Sequence, residues 1–180
     1  QVRLLRKFLK GIKAYGAEIK TQSVPGYVTE LLTINYGSFE KTIKEISKWK
    51  TPTIIDMEKQ MPEKEAQKKF EQSPLIIIDP VDKNRNVAAA LSKDQFARMI
   101  AASRAFLKKP SLHFFFGKKT KALPEKKVKI LLQKEEIIAI ETGCPNALPD
   151  IMWGQIKRLS SKISTMLAKE EFTIIRTGIW

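Results

Sequence analysis

Apolar positions in the first fifty residues recur every three or four places. Leu4, Leu5, Phe8, Leu9 and Ile12 share one face of a helix predicted over residues 2–13, while Arg3, Arg6, Lys7, Lys10 and Lys13 cover the rest. Gly16 stops that helix, and Pro25-Gly26 punctuates the chain before a second one running through Glu30 to Ile34. A third, over Phe39 to Trp49, gathers Phe39, Ile43, Ile46 and Trp49. Short amphipathic helices are marginal alone, so these three are expected to pack together.

The pattern then shortens. Thr53 to Asp56 and Leu75 to Ile78 are branched apolar runs bounded by prolines and aspartates, which predicts two short strands. The charged stretch between them, Glu58 to Gln72, has weak periodicity and is expected to be a flexible loop. After an alanine-rich helix start at Ala88, Ser92 and Gln95 form a capping box. The helix they open buries Phe96, Met99, Ile100, Ser103, Phe106 and Leu107 and ends before Pro110. His113 to Phe116 is read as packing, either in the first module's core or as a hinge, because three consecutive phenylalanines cannot all face one ligand.

A lysine-rich segment beginning at Lys118 leads into a helix after Pro124. The last third reads strand, helix, strand over Glu135–Thr142, Asp150–Lys169 and Phe172–Ile179. On the central helix Met152, Ile156, Leu159, Ile163, Met166 and Leu167 recur at helical spacing, leaving Lys157, Arg158 and Lys162 outward. The fold class expected is α+β: a helical substrate-binding domain with a small two-stranded element over 1–109, then part of a ferredoxin-like, RNA-recognition-type α/β domain over 110–180. An unpaired edge at the last strand makes a homodimer one expectation.

Composition changes the picture in one respect. With 43% hydrophobic and 29% charged residues the chain can bury a core, but 33 Lys and Arg against 19 Asp and Glu give a net charge of +14. A polyanionic partner follows more readily than a merely lysine-rich thermophilic surface. No apolar run reaches the roughly 18 residues of a membrane helix, and no signal peptide precedes the first charged helix, so a soluble, cytoplasmic protein with no membrane partner is expected. A lone Cys144 and a lone His113 exclude a disulfide framework within the chain and a conventional histidine or cysteine metal cluster.

The densest chemistry follows the second strand. Asp79 and Asp82 suit the free backbone donors of a turn, and Arg85 carries a planar five-donor fork fitted to a phosphate or a base edge, or alternatively tied to those aspartates. Asp79-Pro80-Val81-Asp82, two residues, then Arg85-Asn86-Val87-Ala88-Ala89 resembles the signature following the catalytic domain of archaeal, class I CCA-adding tRNA nucleotidyltransferases. Tyr15-Gly16-Ala17-Glu18, Gly26-Tyr27-Val28-Thr29-Glu30, Tyr36-Gly37-Ser38-Phe39 and Lys109-Pro110-Ser111-Leu112 occur in that family's order. The resemblance covers nearly the whole chain and is most specific over the first 115 residues or so.

What the resemblance implies is specific. Arg6 falls on a family lysine and Tyr15 on a family tyrosine that hold the nucleotide's triphosphate. Arg85 falls on the arginine that, with RNA phosphates, reads the Watson–Crick edge of cytosine or adenine. Lys118, Lys119, Lys121, Lys157, Arg158 and Lys162, with Lys126 and Lys127, are candidates for tRNA phosphates. Gly26, Tyr27 and Glu30 read first as turn, core anchor and helix start. Nucleotidyl transfer needs carboxylates converging on paired metal ions, and no Asp-x-Asp occurs here; Gly37-Ser38 is a false start because a helix follows. The expectation is a nucleotide- and tRNA-binding fragment of an enzyme adding CMP and AMP from CTP and ATP to the tRNA acceptor end. Its Mg2+ would be bound by a catalytic head domain elsewhere. A stand-alone RNA-binding module or a docking subunit is the alternative.

Overall fold

The computed structural model of the chain describes residues 1–117, 124, 129–130, 138–143, 146–175 and 177–179. Three helices open it: α1 (Val2–Gly11), α2 (Gly26–Tyr36) and α3 (Phe39–Ile46). Leu5, Phe8 and Leu9 of α1 pack in one core with Val28, Leu31 and Leu32 of α2 and Phe39, Ile43 and Ile46 of α3. Helix α1 ends short of the predicted residue 13 because Lys13 takes a left-handed backbone, φ 59°. The Ser38 hydroxyl, far from catalysing anything, accepts from the Lys41 amide at 3.2 Å and caps α3.

Strands β1 (Thr53–Ile55) and β2 (Leu75–Ile77) pair in parallel, Thr53 opposite Leu75 and Ile55 opposite Ile77. Parallel neighbours need a crossover, and a helix is its usual form. The stretch expected to be a flexible loop therefore contains α4 (Glu63–Lys69). Glu63 and Glu65 in its first turn and Lys68 and Lys69 in its last complement the helix dipole. Only Ala66 is buried, against Ile76 and Ile78 with Met61 and Phe70 alongside, so the apolar edge is too narrow to read as a period.

Beyond β2 the chain doubles back, and Asn86 bridges Ile78. The buried Asn86 carboxamide stands in for a third strand: its oxygen accepts from the Ile77 and Ala88 amides at 3.0 and 2.9 Å, and its nitrogen donates to the Leu75 carbonyl at 3.1 Å. Val87 to Ala90 forms turns instead of the expected helix start. Helix α5 (Lys93–Lys108) begins at Ser92, whose hydroxyl accepts from the Gln95 amide at 3.3 Å. The reciprocal half of the capping box is absent, since Gln95 Nε2 donates to Thr21 O and the Ser92 amide to Gln22 O. Ser92→Ala is expected to cost about 1 kcal/mol and to lower a thermal melt by roughly 2–4 °C.

Phe96, Met99, Ile100 and Ser103 are buried on α5 as the spacing requires, with Phe106 half-buried and Leu107 at the surface. Helix α6 (His113–Phe116) then folds back onto α1. The rings of Phe114 and Phe115 lie 6.0 and 5.8 Å from that of Phe8, so these two rings pack on the first core, the first of the two expected roles. Exposed Phe116 lies under the Lys7 ammonium, 4.6 Å from the ring centre.

The last helix, α7 (Pro149–Lys169), has no buried residue among its side chains. Among the described residues β1–β2 is the only ladder. Residues 138–142 and 172–175 carry no strand, an extended segment having no strand character without a partner to exchange hydrogen bonds. No helix among the described residues is long and apolar enough to cross a membrane.

Candidate functional site

The first turn of α2 gathers the polar side chains of the helical module. Arg6 reaches it from α1, with Nε donating to Thr29 Oγ1 at 3.1 Å and Nη2 donating to Gly26 O at 3.5 Å and to the Glu30 carboxylate. Tyr15 arrives from the loop after α1, held by a bridge to Val24 in which the Gly16 amide donates to Val24 O. A Cβ on Gly26 would lie 3.2 Å from the Tyr15 hydroxyl and 3.3 Å from Arg6 Nη2. The absence of a side chain there lets both groups close over the helix start. No side chain caps α2, so its free amides add partial positive charge at the same point.

The next residue joins this corner to the signature loop. Tyr27, expected as a core anchor, is instead 38% exposed, and its hydroxyl points to Asp79 Oδ1 at 3.4 Å. Loss of solvent around the phenol, and after it the Asp79 carboxylate, raises the Tyr27 pKa above its ordinary value. The correction is physical: Tyr27 opens α2 on the side that faces the β2 end, where a buried carboxylate needs donors. Glu30, likewise read as a helix start, is the partner of Arg6.

Residues 79–85 form a closed turn whose base is doubly paired. The Asp79 amide donates to Arg85 O at 3.1 Å, and Arg85 Nη1 lies 3.4 Å from Asp79 Oδ2. Asp79 Oδ1 accepts from the Val81 amide at 3.0 Å and Asp82 Oδ1 from the Asn84 amide at 2.9 Å, the turn roles their types suggest. Arg85 is therefore linked to an aspartate and yet presents its fork outward: its side chain is 65% exposed while that of Asp79 is 6% exposed.

The candidate RNA contacts divide. Lys118, Lys119 and Lys121, with Lys126, Lys127 and Cys144, lie outside the described residues. Arg158 and Lys162 are exposed on α7. Lys157, expected outward, turns toward the helical module: its ammonium donates to Ile19 O at 2.6 Å and Gln22 Oε1 at 2.7 Å, and partial burial lowers its pKa. Lys20 answers from the same loop, 4.6 Å from the Trp153 ring centre.

Arginine forks, tyrosine hydroxyls and free helix amides at one corner of a strongly basic module are the donors that a phosphorylated ligand requires. Residues 1–116 match the family described as tRNA nucleotidyltransferase, second domain, and the chain belongs to that family. It is 39% identical to the CCA-adding enzyme of Methanosarcina mazei over 99% of its length and 38% of the relative's. It is 43% identical to that of Saccharolobus solfataricus over 100% of its length and 40% of the relative's. It is 38% identical to that of Methanosarcina barkeri over 100% of its length and 39% of the relative's. The chain thus spans about two fifths of the curated relatives it matches.

Proposed function

We propose that the chain is the nucleotide- and tRNA-binding body of a CCA-adding enzyme, adding CMP and AMP from CTP and ATP to a tRNA 3′ end. The observation that carries this is the meeting of Arg6, Tyr15 and the first turn of α2, joined through Tyr27 and Asp79 to Arg85. Arg6 and Tyr15 would donate to triphosphate oxygens, and Arg85 to O2 and N3 of cytosine or N1 of adenine. The family arginine contact is thereby assigned to a side chain whose fork is solvent-facing and whose base is fixed.

Among the described residues no group of three or more His, Cys, Asp or Glu could hold a metal ion. In this reading the magnesium that nucleotidyl transfer requires would be held by carboxylates of a catalytic domain, which the described residues do not supply. Residues 110–180 form part of a second, ferredoxin-like RNA-binding region in this reading, with Lys118, Lys119, Lys121, Arg158 and Lys162 against tRNA phosphates. Lys157 serves both as a phosphate neighbour and as the tether of α7. The expected compartment is the cytoplasm, where tRNA ends are processed.

Binding of the chain to a tRNA minihelix ending before CCA tests this directly. Affinity should exceed that for random duplex at physiological salt. Each neutralised phosphate should add about 0.7–0.9 to the log–log salt slope. Equal affinity for both RNAs would count against the reading and favour a nonspecific RNA-binding module.

A further inference from the structure

The nearly buried Asp79 carboxylate does more than close its own turn. An aspartate only 6% exposed is rarely left without a partner. Here the Asp79 carboxylate makes one contact to the backbone of its turn, from the Val81 amide to Oδ1. The remaining capacity of the carboxylate is directed at two side chains from different parts of the chain: the Tyr27 hydroxyl on Oδ1 and Arg85 Nη1 on Oδ2. Arg85 is otherwise free to rotate, since its side chain is 65% exposed and, among the described residues, Asp79 is its side-chain partner.

We propose that Asp79, supported by the Tyr27 hydroxyl, is a positioning residue that fixes the Arg85 fork for reading a base edge, an inference that rests on Arg85 being the base-reading side chain. A free arginine side chain carries about 2 kcal/mol of rotamer entropy, which must be lost whenever its fork meets a flat base edge. Asp79 takes one end of the guanidinium, Nη1, and leaves the donors of Nη2 and Nε for a ligand. The backbone sets the same direction twice over. The Asp79 amide donates to Arg85 O, and Asn86, the next residue, is locked to β2 by two side-chain hydrogen bonds, with Ile77 and Leu75.

Tyr27 adds a link between the two halves of the site. It sits one residue after Gly26, over which Arg6 and Tyr15 close, so a single helical turn connects the phosphate donors with the carboxylate behind Arg85. The groups facing its phenol are Asp79, Arg85 and Glu30; desolvation first, then Asp79, raise its pKa and Arg85 opposes them, so the hydroxyl is a donor at neutral pH as an ordinary tyrosine is. A phenylalanine at this position preserves the half-covered ring and removes only that donor.

The test uses the chain joined to the catalytic domain of a CCA-adding enzyme, with discrimination of CTP from UTP as the readout and tRNA KM as the control. Arg85→Ala should reduce discrimination by roughly 10–100-fold, the loss of a charge-assisted hydrogen bond. Asp79→Asn should reduce it about 10-fold and Tyr27→Phe about 3-fold, with tRNA KM and the melting temperature of Tyr27→Phe unchanged. Neither substitution should reduce discrimination further once Arg85 is alanine, because both act through it. Additive losses in the double variants, or full discrimination in Tyr27→Phe and Asp79→Asn, would overturn the positioning role while leaving the Arg85 assignment standing. Unchanged discrimination in Arg85→Ala would overturn that assignment itself. In the 180-residue chain alone, 15N relaxation of the Arg85 side chain provides a reading that needs no catalysis: an ordered Nε in the wild type that becomes mobile in Asp79→Asn supports the proposal, and equal mobility in both rejects it.

Discussion

Gly11→Ala is expected to lower the melting temperature of this chain by about 6–12 °C, corresponding to roughly 3 kcal/mol. An added Cβ would lie 2.1 Å from the Phe114 carbonyl oxygen and 2.7 Å from the Phe115 carbonyl carbon. Both are backbone atoms, so no flexible side-chain tip can move aside. Relief requires lifting α6 from α1, and with it the Phe114 and Phe115 rings that pack on Phe8 and Phe106. The same change at Gly154, in α7 with nothing within 4 Å of its Cβ position, should be neutral or stabilising by up to about 1 kcal/mol. Equal melts for the two variants would show that the α1–α6 contact does not exist in solution.

Arg85→Ala carries the largest expected effect on function. The chain joined to a catalytic domain should lose roughly 10–100-fold in kcat/KM for CTP relative to UTP, with a much smaller change in tRNA affinity. The difference follows from placement: Arg85 is one cation among many for a polyanion, but the one whose fork is held by a buried carboxylate beside Tyr27. Removing it subtracts one charge from a net +14 while deleting a directional contact. Filter binding and single-nucleotide addition measure the two losses separately, and equal losses in both would contradict the assignment.

The elements with strong periods were legible from sequence. Helices α1, α3, α5 and α7 follow spacings of apolar residues, α2 follows the Pro25-Gly26 punctuation before it and both strands are short branched runs; the buried side of α3 is the one the spacing names, and so is that of α5 except at Leu107, which lies at the surface. Helix α4 was not, because a crossover helix resting on Ala66 needs no amphipathic stripe. Val87 to Ala90 misled through composition: alanines favour helix, but Asn86 holds the segment to β2 with its carboxamide.

The candidate site was legible residue by residue and not as an arrangement. Arg6, Tyr15 and Arg85 stand out through type and motif, whereas the pairing of Tyr27 with Asp79 spans 52 positions and leaves no local pattern. Tyr27 at a helix start looks like a core ring until the opposite element is known. Lys157 shows the converse, a cation whose place on a helix face is set by the carbonyl of Ile19 and not by the helix's own period.

Ordered addition of C, C and A tests the central claim most directly. The chain would be mixed with a separately produced catalytic domain of a CCA-adding enzyme, magnesium, labelled CTP and ATP, and a tRNA lacking its terminal CCA. Addition in the mixture, absent from either part alone, is the predicted result. No addition from parts that associate with each other and bind that tRNA would contradict it.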